Sequence, residues 1–183
     1  AVSVRGFSDR FANKLLVLMD GRAVYTPSFG GVYWETPDYV LEDLERIEVV
    51  RGPGGTLWGA NAVNGVVNVL SKDARDTQGT LVQGGGGTVE QGFGIGEEAH
   101  ARVYGKFDSR GEFEPLAPDT PAHDDWRMFR TGTRADWRLP DDHLTLQGDF
   151  YYGELGQRGY QPAYVPPLTR VVDQDVGSRG GNA

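Results

Sequence analysis

His100, His123 and His143 are the side chains best suited to metal or proton-transfer chemistry, and their spacing argues against both. No two of them stand at the short intervals that place paired ligands on one metal ion. His123-Asp124-Asp125 brings together ligand types for a first-row metal, but in a segment that reads as a loop, so solvated histidines and no metal site are expected. No G-x-S-x-G or equivalent nucleophile motif is present, and no catalytic residue is assigned. Gly52-Pro53-Gly54-Gly55-Thr56 precedes a helical turn, as an anion-binding loop would. It lacks the Lys-Ser/Thr of a nucleotide loop, and Pro53 removes one amide donor. Cysteine is absent, which excludes disulfides and thiolate metal sites. No cofactor and no enzyme activity are expected.

Two other sets have chemistry of a different kind. Tyr25, Phe29, Tyr33 and Trp34 lie in and around the Pro- and Gly-containing stretch 26–35. Rigid amphipathic rings give large contact area at low entropic cost, so these are ligand-binding candidates, with Phe29 the most exposed between two turns. The other reading is a small core beneath a sheet. Arg46, Glu48 and Arg51 fall in a strand-like run, where alternation puts Arg46 and Glu48 on one face. Arg51 falls on the other unless the chain bends before Gly52. A solvated edge is the plain reading of all three.

The elements that must position these residues are short. Leu15–Met19 is a continuous apolar run closed by Asp20-Gly21, which predicts a buried strand, with residues 23–25 as its partner. Residues 37–44 predict one helical turn capped by Thr36 or Asp38. Residues 44–70 read strand, glycine-rich turn, helical turn over 57–60 capped by Thr56, the turn Asn64-Gly65, then a strand over 66–70. The strands Leu15–Met19, Ile47–Arg51 and Val66–Leu70 are expected in one mixed sheet.

After Leu70 the polar stretch 71–79 marks a boundary, dividing the chain into domains 1–73 and 74–183. Beyond it, apolar and polar residues alternate over 79–86, 88–96, 99–108, 127–138 and 144–153, predicting about five antiparallel strands. Phe107, Phe129, Trp137, Leu146 and Phe150 should share a convex face, and Arg102, Arg130, Arg134 and Gln147 the concave one. Residues 109–125 and those after 153 read as long loops, while 139–143 is a short turn. Trp126, Trp137, Tyr151 and Tyr152 lie near strand ends, where a membrane protein places an aromatic girdle.

Composition suits this reading. Hydrophobic residues make up only 38% while there are 27 glycines, a balance fitting short strands or a barrel with a polar inner wall. The net charge of −8 argues against a general nucleic-acid binder, which needs a basic face. No apolar run reaches the length of a membrane helix, but a barrel strand needs only about 10 alternating residues. The N-terminal residues begin directly in a strand-like segment, so the chain reads as an internal piece of something longer.

The ordered set Arg46-Ile47-Glu48-Val49, Arg51-Gly52-Pro53, Trp58-Gly59 and Asn64-Gly65-Val66-Val67-Asn68-Val69 resembles the C-terminal half of the plug domain of TonB-dependent outer-membrane receptors. The resemblance implies a mainly β chain: part of an α+β plug over 1–73, then the first strands of an incomplete transmembrane β-barrel over 74–183. It implies active uptake of a scarce chelate, such as an iron–siderophore complex or a cobalamin, with the TonB complex and outer-membrane lipid as partners. It further implies that the aromatic segment reaches the outward apex of the plug, and that Arg46, Glu48 and Arg51 face acidic groups of the barrel wall as a plug–barrel lock. Plugged transporter barrels have 22 strands of roughly 10 residues, about twice what residues 79–183 supply, so no closed barrel is expected from these residues alone. The alternative is a soluble β-rich ligand-binding module without a transport role. It would bury Phe129, Ala135, Leu144, Leu146 and Phe150 beneath a second sheet; lipid exposure would leave that face uncovered.

Overall fold

A computed structural model describes residues 14–25, 30–34, 36–113 and 122–182. The chain folds as two compact units, Ala1–Asp73 and Ala74–Ala183. Both are built mainly of strands, as alternation and turn chemistry lead one to expect.

The first unit is a four-stranded sheet of β1 (Leu15–Met19), β2 (Arg22–Ala23), β3 (Leu44–Arg51) and β4 (Gly65–Ser71), in the order β2-β1-β4-β3. β1 runs parallel to β4 and antiparallel to β2, so the sheet is mixed as expected. All five residues of β1 are buried, the reason its sequence is apolar without alternation. Leu15 and Val17 pack with Val32 on one side, and Leu16 and Leu18 with Ala62 and Val66 on the other. Asp20 and Gly21 both have positive φ, the geometry of a two-residue hairpin turn. The Asp20 carboxylate then accepts the Ser71 amide and hydroxyl, each at 2.8 Å, tying that turn to the end of β4.

The first helical segment is shorter than expected, the second starts two residues earlier, and both are differently capped. A 3-10 turn covers Leu41–Asp43, with Val40 at its N-cap and no side-chain bond. Thr36 instead turns its hydroxyl to the Tyr33 carbonyl at 3.0 Å, and Asp38 is no cap either. Helix α1 (Gly55–Trp58) has Gly54 as N-cap, so Thr56 lies inside the turn it was expected to cap. The Gly54 amide is committed to the Ala62 carbonyl at 2.8 Å and the Gly52 amide to the Asn64 carbonyl at 3.0 Å. These bonds close the loop on itself and use two amides that an anion would need.

The second unit is one antiparallel sheet of six strands in sequence order: β5 (Gly79–Gln83), β6 (Thr88–Ile95), β7 (Ala99–Arg110), β8 (Trp126–Arg138), β9 (His143–Pro162) and β10 (Thr169–Asn182). The expected loop after 153 is a correction. β9 continues to Pro162 and β10 follows, paired from Thr169↔Pro162 to Asn182↔Asp149. Residues 154–162 (ELGQRGYQP) show weak alternation and end in Pro, so their strand character rests on ladder bonds to β10 rather than on a hydrophobic face.

Glycines on one face of this sheet receive large side chains from the facing strand. Tyr104 lies opposite Gly132, and Tyr151 opposite Gly180. A Cβ on Gly132 would come within 2.6 Å of the Tyr104 ring. Gly132→Val should therefore displace Tyr104 and cost about 1–3 kcal/mol, as overpacking does. Urea unfolding of the purified protein measures the loss, and adding Tyr104→Ser should recover most of it. No recovery would mean the ring is not what fills that space.

Candidate functional site

In the first unit, Tyr25 donates its hydroxyl to the Leu15 carbonyl at 2.8 Å, and burial pushes its phenol above the ordinary value. Tyr25 and Trp34 pack against Leu15, Val17 and Val32. The Trp34 indole Nε1 is buried and makes no hydrogen bond. Tyr33 points outward and is 41% exposed. Phe29 lies outside the described residues. The aromatic set is thus divided between a core contribution and an exposed ring.

The charged set divides as well. Arg46 donates from Nε to Glu48 at 2.8 Å and from Nη1 to Glu45 at 2.5 Å, and Asn68 Nδ2 donates to Glu48 at 3.1 Å. The Arg46 hydrogen bond, with the Asn68 bond second, holds the Glu48 carboxyl below its ordinary range. A depressed carboxylate favours the fold above its unfolded-chain value and loses that contribution as pH falls through the depressed one. Pairing of β3 with β4 is regular from Arg46 to Arg51, so Arg51 falls on the face opposite Arg46 and Glu48. Arg51 is exposed and makes no ion pair among the described residues.

The second unit has two chemically opposite faces. Register aligns Phe107 with Phe129, Phe129 with Tyr152, Thr131 with Phe150, Ala135 with Leu146 and Trp137 with Leu144. On this face Phe129 is 45% exposed, Leu144 56%, Leu146 62% and Phe150 50%. Among the described residues no second sheet covers them, which counts against a soluble module. Val89, Phe93 and Ile95 on β6 add to the same apolar band. Trp137 lies on it beside the end of β8, but Tyr152 stands in the middle of β9, and Trp126 and Tyr151 are not on this face. Period two turns Tyr151 away from Tyr152, and register aligns Tyr151 with Arg130 and Trp126 with Arg110 on the other face.

That other face is charged and buried. Arg102 is aligned with Arg134, and Arg134 with Gln147, as expected. Arg130 Nη1 donates to Asp149 at 2.5 Å, its guanidinium stands 5.1 Å from the Tyr151 ring centroid, and Asn182 also reaches Asp149 at 3.3 Å. Asp136 accepts from the Ala74 amide at 2.8 Å, Arg134 Nε at 2.7 Å and Thr145 Oγ1 at 2.6 Å. Buried charges persist when paired and hydrogen-bonded in this way. Alternation places Asp136 on this face, but its tie to Ala74 joins residues 62 apart and has no local signal. Near the β7–β8 loop, Glu112, His123 and Asp125 bring their ligand atoms within 4.8 Å of one another. His123 also stands 3.2 Å from Asp175. These residues lie on both sides of a long connection, so spacing does not bring them together in the sequence.

An apolar outer face over a charged inner one is the pattern of an outer-membrane barrel wall. Residues 1–66 match the TonB-dependent receptor plug domain. The vitamin B12 transporter BtuB of Vibrio vulnificus (strain CMCP6) is 34% identical over 91 residues, covering 50% of this chain and 14% of that protein. The vitamin B12 transporter BtuB of Photobacterium profundum is 28% identical over 182 residues, 91% of this chain and 28% of its own length. An iron-regulated outer membrane virulence protein of Vibrio cholerae serotype O1 (strain ATCC 39315 / El Tor Inaba N16961) is 35% identical over 89 residues, 44% of this chain and 13% of that protein. Over residues 1–66 the chain is thus similar to the plug domain of TonB-dependent receptors. It spans between 13% and 28% of the length of these relatives. These relatives are named as transporters of vitamin B12 and as an outer membrane protein.

Proposed function

We propose that the receptor carrying this chain takes up a scarce chelate, an iron–siderophore complex or a cobalamin, across the outer membrane with energy delivered by the TonB complex. The observation that carries this reading is the two-faced sheet of the second unit: exposed Phe129, Leu146 and Phe150 on one side, paired Arg130 and Asp149 on the other. Residues 1–73 act as the C-terminal part of the plug and 74–183 as the first barrel strands. No catalytic step belongs to the chain. Tyr33, with Phe29 beside it in sequence, meets the ligand, while Tyr25 and Trp34 support that surface from the core. The buried Trp34 N–H is a donor of the kind that an acceptor on the ligand would satisfy. Transport of labelled cobalamin and of a ferric siderophore into cells, with and without a protonophore, tests the function. Uptake of either that stops with the protonophore is expected; no energised uptake of any chelate overturns it. Tyr33→Ala should weaken ligand binding without changing the amount of folded receptor, and unchanged binding removes Tyr33 from the site.

Arg46, Glu48 and Arg51 form the plug–barrel lock in this reading. Arginine suits it because its fork can grip a carboxylate with two parallel bonds. Arg51→Ala should raise ion conductance of the receptor in planar bilayers with little change in ligand affinity. Unchanged conductance in Arg46→Ala, Glu48→Ala and Arg51→Ala alike would leave these charges as a solvated edge.

A further inference from the structure

We infer that Asp136 and Gly92 anchor residues 74–78 to the charged face of the second unit, so that displacement of the first unit during uptake ends at Ala74 and does not peel β5 from the sheet. This rests on the uptake reading above. Asp136 and Gly92 are positioning residues in it; neither touches the transported ligand.

Residues 71–79 have the composition of a free linker, yet their second half is pinned. A 3-10 turn covers Ala74–Thr77, and Ala74 is fully buried. Its amide donates to the Asp136 carboxylate, whose side chain is only 1% exposed. The same carboxylate accepts from Arg134 and Thr145, so it is held in place from its own strand and from β9 while it grips the turn. Arg102, also buried, reaches the Thr77 hydroxyl at 3.3 Å. Gln78 Nε2 closes the turn on the Ala74 carbonyl at 2.5 Å.

Gly92 supplies the second hold, and it is steric. Its missing side chain is where the turn lies: a Cβ there would fall on the Thr77 carbonyl oxygen and press the Gln78 Cα at 2.8 Å. These are backbone atoms, so no side-chain rotation relieves the clash. The turn is therefore seated on β6 by close approach and tied to β8 by a charge-assisted bond, which is about twice as strong as a neutral one. Pairing Asp136 with Arg134 alone would not account for this arrangement. Those two residues are neighbours on one strand and need no amide from 62 residues away.

The anchor is tested by pulling the receptor that carries this chain from its N-terminal side while it sits in a lipid bilayer. In the wild type, release of residues 1–73 should be followed by a separate rupture that frees residues 74–83. These ten residues add about 33–36 Å at roughly 3.3–3.6 Å each. Asp136→Asn and Gly92→Ala, which attack the hold by charge and by shape, should each lower or abolish that rupture force. Arg158→Gln, which breaks a remote pair with Asp173, should leave it unchanged. Hydrogen exchange gives a second readout. Amides 74–78 should exchange at least about tenfold faster in both variants, the factor that losing one hydrogen bond supplies, while β7–β9 amides stay protected. If Asp136→Asn fails to fold, Thr145→Val loosens the same carboxylate more gently and should move both readouts in the same direction. A wild type that releases residues 74–83 without a separate event, or Asp136→Asn and Gly92→Ala variants with wild-type force and exchange, overturns the anchor. Failure of energised uptake by the wild-type receptor would overturn the transport reading instead.

Discussion

Replacing Val103 by Arg is expected to destabilise the receptor by about 2–4 kcal/mol in a bilayer, whereas Leu144→Arg should cost only about 0–1 kcal/mol. Both side chains lie on the apolar face and both are exposed, Val103 at 44% and Leu144 at 56%. They differ in depth. On β8 the apolar face runs over residues 129–137, close to the roughly 9–11 residues that a tilted strand needs to cross a bilayer. Val103 is aligned with Thr133, midway along that run, and Leu144 with Trp137 at its edge. An arginine at mid-depth must drag its charge through hydrocarbon, while one at the edge reaches the headgroups. Equilibrium unfolding by urea from lipid vesicles gives the two values. Equal costs at the two positions would mean that this face does not contact lipid.

The parts of the fold legible in the sequence were those governed by local rules. LLVLM reads as a buried strand because no residue in it needs water, and DG stops it because both residues accept positive φ. Alternation in 99–108 and 127–138 fixes which residues share a face before any partner strand is known. Strand lengths were less legible. β9 and β10 extend through Gly, Gln and Pro where neither alternation nor propensity favours a strand, because each supplies the other's backbone partners. The caps failed for a related reason. Thr36 and Thr56 have the right chemistry for a cap, but the Tyr33 carbonyl takes the Thr36 hydroxyl and the bonds of Gly54 set where α1 begins.

The candidate site was legible as types and faces, not as partners. Arg46 and Glu48 share a face by alternation, and the structure adds Glu45 and Asn68 to them. Tyr25, Tyr33 and Trp34 lie close in sequence, yet which ring turns inward depends on Leu15 and Val17 lying beside them. The hold on residues 74–78 was illegible. Gly92 looks like any strand glycine until the Thr77 carbonyl is found where its side chain would be.

The second large effect is expected at Arg130 and Asp149. Their side chains are 3% and 10% exposed, and they meet at 2.5 Å on the charged face. Arg130→Met takes its guanidinium partner from the buried Asp149 carboxylate, which the Asn182 amide also reaches at 3.3 Å. Losing one partner of a buried pair typically costs about 3–5 kcal/mol, because the other charge stays out of water uncompensated. Asp149→Leu should cost a similar amount by removing the carboxylate from a buried guanidinium, offset in part by its place 5.1 Å over the Tyr151 ring. The double variant Arg130→Met with Asp149→Leu removes both desolvation penalties together and should return close to wild-type stability, within about 1 kcal/mol. Urea unfolding of the four proteins in one lipid gives the coupling between the two sites. A wet inner face predicts something else: each single change would cost less than about 1 kcal/mol, and the two costs would add. Additive losses of that size would show that water reaches this pair and that the charged face is held by its strand ladder rather than by its ion pairs.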